Sequence, residues 1–359
     1  MKRIRVNLRD RSYGVNIGSG ILAQTGSWLK TRGLAGRLIV ITNPVVRSLY
    51  GEALERSLAG EGFTALDFLE VPDGEEQKSL ETAGRLYLEM ERCLAERMTP
   101  VVALGGGVIG DLAGFVAATY KRGVPLVHIP TTLLAQVDSS IGGKVAVDHG
   151  QVKNEIGVFY QPWLVISDIA TLKTLDAKTL GDGLAEVIKY GVIRDRGLLA
   201  YLEANLARIE AFDESVLEKI VSRSVEIKAE IVSRDEYDLR GLRAILNYGH
   251  TIGHAIESVS GFQVGHGEAV AIGMLAAARI SRQMGILGRR ELGRLESLLE
   301  KAGLPTRIPD LEVESLVSAM QHDKKVSGGK VRFVLPRELG RVFITDDVDL
   351  SLVRQVLAD

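Results

Sequence analysis

Val101-Val102-Ala103-Leu104-Gly105-Gly106-Gly107-Val108-Ile109-Gly110-Asp111 runs from four apolar residues into a glycine-rich turn, then into a segment that stays apolar as far as Tyr120. Residues 101–120 are apolar enough to be tested as a membrane span. They hold five glycines and Asp111, however, with Lys121 and Arg122 immediately after. A spanning helix would carry that carboxylate near mid-membrane, which is costly. The stretch therefore reads as a buried strand, a turn and a helix. The same alternation extends outward on both sides. Arg37 to Thr42 reads as a strand followed by helix through about Ala59. Thr64 to Val71 reads as a strand followed by helix from Ser79 to Glu96, and Pro125 to Pro130 and Leu164 to Ser167 read as further strands. Short apolar strands alternating with helices of this length imply a parallel α/β sheet.

The texture changes after about Asp176. Leu184 to Val192, Leu198 to Phe212, Ser215 to Ser233, Leu242 to Val259, Glu268 to Met284 and Arg290 to Ala302 all carry helical patterns. Only Val331 to Leu335 and Val342 to Thr345 look like strands there. The expectation is a Rossmann-like parallel α/β domain over residues 1–175 and a mainly helical domain over 176–359. With 46% hydrophobic and 25% charged residues, the 359-residue chain has ordinary globular composition. Its 44 basic and 46 acidic residues leave no basic excess to attract nucleic acid or a membrane surface. The single cysteine, Cys93, cannot form an intramolecular disulfide and reads as a small core residue. The charged N-terminus, Met1 to Asp10, lacks an apolar signal core. The expectation is a soluble, cytoplasmic protein.

Three clusters can carry chemistry. Gly105, Gly107 and Gly110 satisfy the GxGxxG spacing, which lets backbone N–H groups approach a pyrophosphate at a helix N-terminus. A tight strand-to-helix turn would need the same glycines, and no acidic residue follows at the usual ribose-binding distance. Asp111, in the first turn, can stabilise the helix or meet a ligand hydroxyl. The second cluster is Gln136-Val137-Asp138-Ser139-Ser140-Ile141-Gly142-Gly143-Lys144, with Lys153-Asn154 beyond it. Lysines after paired glycines suit phosphate or carboxylate recognition. Either lysine alone would read as a solvated surface residue. Thr131, Thr132, Asp138 and Asn154 give them polar company.

In the third cluster Arg243, Asn247, His250 and His254 fall at steps of four, three and four, which on one helix over 242–257 share a face. Leu242, Ile245, Leu246, Ile252 and Ile256 take the other face. A merely solvated face would hold Lys and Glu. Gly249 and Gly253 each cost about 1 kcal/mol within a helix, which points to close approach by another backbone or a ligand. Histidines at i and i+4 can share a metal ion. His266 offers a third imidazole, and Glu186 with Lys189 offers a carboxylate and a cation on one face. His128, His149 and His322 have no comparable company and read as structural.

Taken in order, several stretches resemble the 3-dehydroquinate synthases. They are Gly105 to Asp111, Pro130 to Lys144, Gly183-Leu184-Ala185-Glu186-Val187-Ile188-Lys189-Tyr190-Gly191, Gly241 to His254, His266-Gly267-Glu268-Ala269-Val270 and Asp323-Lys324-Lys325. The order and spacing hold from about residue 38 to about 340. The resemblance implies NAD in the N-terminal domain and a divalent metal, usually zinc with cobalt as an alternative. It assigns metal ligation to Glu186, His250 and His266, and moves His254 to the substrate phosphate. Substrate and phosphate contacts map to Arg122, Asp138, Lys144, Asn154, Lys189, Lys228, Arg243, Asn247 and one of Lys324 and Lys325. Contacts to NAD map to Asn43, Glu75, Lys78, Gly106, Gly107, Asp111, Thr131, Thr132, Lys153 and Thr174, beside Gly105 of the glycine turn.

This chain departs from the family pattern at Val145 (commonly Thr), Asp148 (Asn), Val152 (Gly) and Asp176 (Pro). One extra residue also lies between Lys228 and Arg243. The activity implied is conversion of a seven-carbon sugar-acid phosphate, 3-deoxy-D-arabino-heptulosonate 7-phosphate, to the carbocycle 3-dehydroquinate with loss of phosphate. In that chemistry transient oxidation by NAD, phosphate elimination, re-reduction, ring opening and aldol closure follow one another. The resemblance also implies a homodimer. A sister sugar-phosphate cyclase is the nearest alternative. A metal-dependent polyol dehydrogenase would share the architecture but would not need the cations directed at phosphate. A metal- and nucleotide-binding regulatory protein would explain the glycines and histidines without those cations.

Overall fold

The computed structural model describes residues 1–150, 152–322 and 331–358. They form two compact units, Met1–Leu175 with Leu217–Tyr237, and Asp176–Val216 with Asp238–Asp359. The change of unit between Leu175 and Asp176 falls where the sequence texture changes. The return of Leu217–Tyr237 to the first unit does not follow from a single cut near residue 175.

The first unit contains strands β1 (Lys2–Val6), β2 (Tyr13–Gly18), β3 (Gly36–Thr42), β4 (Phe63–Glu70), β5 (Val101–Gly105), β6 (Leu126–Pro130), β7 (Lys144–His149), β8 (Val152–Phe159) and β9 (Leu164–Asp168). Its helices are α1 (Thr25–Thr31), α2 (Pro44–Leu58), α3 (Leu80–Arg92) and α4 (Gly107–Thr119). Seven strands form one sheet in the order β1-β2-β9-β6-β5-β3-β4. Every neighbouring pair is parallel except β1 with β2. Alternate residues of β3 enter opposite cores. Ile39 and Ile41 pack with α3 and α4 through Leu86, Met90, Leu112 and Val116. Leu38 and Val40 pack with α1 and α2 through Leu29, Leu54 and Leu58. A sheet covered on both faces needs strands apolar on both sides, and this is why β3 and β5 read as continuous apolar runs. Cys93 caps α3 and lies half-buried against the first of these cores.

Two further features of this unit position side chains. Strands β7 and β8 make an antiparallel hairpin outside the main sheet, in a region that the sequence presents as loop-prone. Within α7 (Glu214–Arg234), Ser233 accepts a bond from the Asn7 N–H at 3.1 Å, and Glu226 pairs with Lys2 at 2.5 Å.

The second unit is built from α5 (Ala177–Arg194), α6 (Arg196–Glu210), α8 (His250–Val259), α9 (His266–Gln283), α10 (Arg289–Lys301), α11 (Val313–His322) and α12 (Leu350–Ala358). It also holds the hairpin of β10 (Phe333–Glu338) and β11 (Arg341–Thr345). Helix α9 is its centre and packs against α5, α8, α10, α12 and β10. Asp176, standing where the family usually has Pro, caps α5 by accepting the Thr179 N–H at 2.7 Å. No helix among the described residues is long and apolar enough to cross a membrane.

The continuous helix expected over 242–257 is not observed. Leu242–Asn247 forms a short 3-10 helix, Tyr248 is extended, and Gly249 adopts a left-handed conformation at φ 82° before α8 begins. The glycines answer to a backbone rather than to a ligand. A Cβ on Gly249 would lie 2.8 Å from the Val270 carbonyl oxygen, and one on Gly253 would lie 3.0 Å from that of Ala269.

Candidate active site

In a parallel α/β sheet, ligands bind beyond the carboxyl ends of the strands where the strand order reverses. Here the reversal falls at β3, which neighbours both β4 and β5. Asn43 follows β3 directly, Glu75 lies beyond β4, Gly106 and Gly107 follow β5, and Thr131 and Thr132 follow β6. Sequence positions far apart thus come to one edge. The turn after β5 is close-packed. A Cβ on Gly105 would sit 2.8 Å from Ile109, and one on Gly106 would sit 3.2 Å from Thr132. The Thr131 N–H donates to the Gly105 carbonyl at 3.0 Å.

Beside this turn Lys78 is buried. Its ammonium lies 2.9 Å from Glu75, 3.5 Å from Asp111 and 3.6 Å from Asp148, and donates to Asn154 Oδ1 at 2.9 Å. Burial pulls the lysine pKa down, but the carboxylates of Asp111, Glu75 and Asp148 outweigh it and the net shift is upward. Burial pushes Asp111 up to about 6 against the opposing pull of Lys78. Lys153 lies 3.7 Å from Glu75. Asn154 holds a left-handed backbone (φ 55°), and its N–H donates to Asp148 Oδ1 at 2.8 Å. Two expected cofactor contacts, Glu75 and Asp111, and one expected substrate contact, Asn154, are thus gathered around the Lys78 ammonium.

Asp138 and Lys228 form a second pair. The Lys228 ammonium donates to both the Asp138 carbonyl and its Oδ1 at 2.7 Å. Lys144 is exposed and lies 5.8 Å from the Phe159 ring. Arg122 sits after α4 with a left-handed backbone (φ 66°). Asn43 caps α2 by accepting the Val46 N–H at 2.8 Å, and the Thr174 hydroxyl lies 2.6 Å from Tyr50 Oη. Both residues therefore have structural employment that the sequence did not announce. Gln136 is structural as well, donating to the Pro130 and Asp168 carbonyls at 3.1 and 2.9 Å.

In the second unit, Glu186 on α5, His250 at the start of α8 and His266 at the start of α9 bring their ligand atoms within 4.8 Å of one another. The Nε2 atoms of both histidines lie 3.5 Å from Glu186 Oε1. Lys189 pairs with Glu186 Oε2 one helical turn away. Glu186 is fully buried, and neither of its oxygens receives a hydrogen bond of ordinary geometry. A buried carboxylate that turns one oxygen to two imidazole nitrogens and the other to an ammonium suits a divalent cation, and a two-histidine, one-carboxylate donor set is typical of zinc.

The surroundings fix these ligands. His250 Nδ1 lies 3.1 Å from the Tyr248 carbonyl, and His266 Nδ1 lies 3.5 Å from Glu257 Oε2. Burial works against a charged His266, but Glu186 and Glu257 outweigh it and raise its pKa to about 10 in the metal-free protein. Asp182 accepts the Gly267 N–H at 3.0 Å and Glu268 accepts that of Gly265 at 2.8 Å, anchoring the turn that presents His266. His254 is exposed, its ring centroid 5.3 Å from that of His250, and it is not one of the three converging ligands. Arg243 is buried and Asn247 half-buried in the 3-10 helix leading to Gly249. Lys324 and Lys325 lie outside the described residues. Sequence reading passed over Glu257 and Asp182. Glu257 follows His250 by seven residues, two helical turns on the same face, and that spacing was the available signal.

Both halves of the chain are similar to known proteins. Residues 68–182 match the family described as 3-dehydroquinate synthase N-terminal, and residues 183–326 match the one described as 3-dehydroquinate synthase C-terminal. A 3-dehydroquinate synthase of Dehalococcoides mccartyi is 51% identical over 359 residues, covering 100% of this chain and 99% of the relative. A 2-epi-5-epi-valiolone synthase from Streptomyces hygroscopicus, solved with NAD+ and Zn2+ bound, superposes with a TM-score of 0.90 at 29% identity. That match covers 98% of this chain and 97% of the other. A 2-deoxy-scyllo-inosose synthase complexed with carbaglucose-6-phosphate, NAD+ and Co2+ also gives 0.90, at 27% identity over 99% of both chains. With both family halves matched in order and half of all residues shared along the whole length, the chain belongs to the 3-dehydroquinate synthase family.

Proposed function

We propose that the chain converts 3-deoxy-D-arabino-heptulosonate 7-phosphate to 3-dehydroquinate and inorganic phosphate, using NAD+ catalytically together with a divalent metal. The observation that carries this reading is the buried Glu186, paired with Lys189 and turning Oε1 to the Nε2 atoms of His250 and His266, in a chain of this family. Glu186, His250 and His266 would hold the metal, zinc or cobalt, as the relatives solved with those ions suggest. When bound, the metal supplies a Lewis acid for neighbouring substrate hydroxyls, and NAD+ supplies a hydride acceptor that later gives the hydride back.

The remaining roles fall to side chains. Glu75, Asp111 and Asp148 around Lys78 offer acceptors for sugar hydroxyls, and the backbone at Gly105, Gly106 and Gly107 offers close approach to a pyrophosphate. Asn43, Thr131, Thr132, Lys153 and Thr174 complete the cofactor assignment. Lys189 neutralises Glu186 and can donate to a substrate oxygen. Arg243, Asn247 and His254 are assigned to the phosphate, with Arg122, Lys144, Asn154, Lys228 and one of Lys324 and Lys325 binding the rest of the substrate. Cations and donors on the departing phosphate stabilise the charge that develops as its C–O bond breaks. Lys228 holds Asp138 in place through two bonds. A homodimer and a cytoplasmic location complete the proposal, tested by sedimentation and by cell fractionation.

The deciding assay is phosphate release from 3-deoxy-D-arabino-heptulosonate 7-phosphate with catalytic NAD+, with and without a chelator, with the product identified by mass and chromatography. Chelator-sensitive release matched by 3-dehydroquinate, without accumulating NADH, is the expected result. No release from intact, metal-loaded protein would shift the assignment to a sister cyclase. Net NADH formation from a simple polyol would shift it to a dehydrogenase.

A further inference from the structure

We infer that Glu257 is a positioning residue for the metal site, holding His266 in the tautomer and orientation that present Nε2 to the ion. The inference rests on the metal reading above and extends it to a side chain that coordinates nothing itself. The two imidazoles are arranged alike. Each turns Nε2 to Glu186 Oε1 at 3.5 Å and Nδ1 to another oxygen. For His250 that oxygen is the Tyr248 carbonyl, which can only accept, so Nδ1 carries the proton and the Nε2 lone pair points at the site. Backbone does this work for His250 because Gly249 breaks the chain immediately before α8.

His266 follows Gly265 at the start of α9 and has Glu257 Oε2 at 3.5 Å from Nδ1. Glu257 is 3% exposed on α8, so its carboxylate is held away from water against the ring it orients. A carboxylate at Nδ1 fixes the ring and makes Nε2 a stronger donor, and losing such a partner typically weakens metal binding by roughly 10- to 100-fold. Because α8 carries both His250 and Glu257, one helix supplies a ligand and the orienting partner of the other histidine.

The test titrates Zn2+ and Co2+ into metal-free wild type, Glu257→Gln, Glu257→Ala and His266→Ala, following bound metal by equilibrium dialysis and the Co2+ visible spectrum. The melting temperature of each metal-free protein reports folding. Glu257→Gln keeps the shape but loses the charge, and is expected to bind about 10-fold more weakly. Glu257→Ala is expected to lose up to about 100-fold, with an altered Co2+ spectrum. In the His266→Ala background, Glu257→Gln should add nothing. Wild-type affinity and spectrum in either folded Glu257 variant overturns the inference while leaving the metal site standing. Equal additive losses with and without His266 also overturn it. Wild type that binds neither ion overturns the metal reading itself.

Discussion

Lys189 is 1% exposed and its partner Glu186 is fully buried. Removing the ammonium leaves a carboxylate in the interior without its nearest counter-charge. Lys189→Met is therefore expected to destabilise the metal-free protein by about 3 kcal/mol or more, and zinc is expected to restore part of the loss. Urea unfolding with and without zinc measures both, and a loss that zinc does not change would argue against the ion binding at Glu186. His128, on β6, is a different kind of buried histidine. Burial alone lowers its pKa from 6.5 to about 4. A depressed folded-state pKa gives stability that is present above pH 6.5 and lost as pH falls through 4. Wild type should therefore lose about 3 kcal/mol more than a folded His128→Leu variant over that window, read by urea midpoints at successive pH values. Residue types and motif order carried most of the candidate site in sequence. Local spacing, in contrast, offered His254 as a partner for His250. The imidazole that lies nearest Glu186 beside His250 is His266, brought in by a long-range crossing of α8 and α9 that no local period encodes.

At the scale of elements, the crossing of α8 and α9 depends on missing side chains. A Cβ on Gly273 would lie 2.0 Å from the Gly249 carbonyl oxygen, and backbone on both sides leaves little room to yield. Gly273→Ala is expected to cost at least about 2 kcal/mol through overpacking and to weaken zinc binding, because α8 and α9 each present a histidine. Thermal unfolding and zinc titration of the same preparation test the pairing, and unchanged values in both would sink it. The central strands β3, β5, β6 and β9 of the main sheet were legible because burial on both faces makes them uniformly apolar, whereas β2 was passed over. The β7–β8 hairpin was not, since Lys153, Asn154 and Glu155 interrupt any alternation and the paired glycines before Lys144 look like open loop. The break at Gly249 was hidden by residues on either side that keep the helical period. Helices α11 and α12 escaped because each spans about three turns or fewer, too short for periodicity to stand out.

At the scale of the whole molecule, composition and the shift in texture pointed to two units, but not to the return of Leu217–Tyr237 to the first. The pattern of that segment is an ordinary amphipathic helix, and such a pattern shows that a face is buried without showing against what. Its side chains are tied to the N-terminal half through Lys228 to Asp138, Glu226 to Lys2 and Glu236 to Arg11. A fragment ending at residue 175 is expected to lack a cooperative thermal transition, whereas the full chain shows one. Circular dichroism of the fragment decides it, and a sharp melt would mean that the segment is dispensable. The interleaving also has a consequence for synthesis. A nascent chain emerges from the ribosome in one direction, so the first unit stays incomplete while the roughly 40 residues of Asp176–Val216 are translated and still awaits its last helix. The glycine turn after β5 and Asp138 are made early, but the lysine that clamps Asp138 arrives late, so the first unit cannot be completed before the second has begun to emerge.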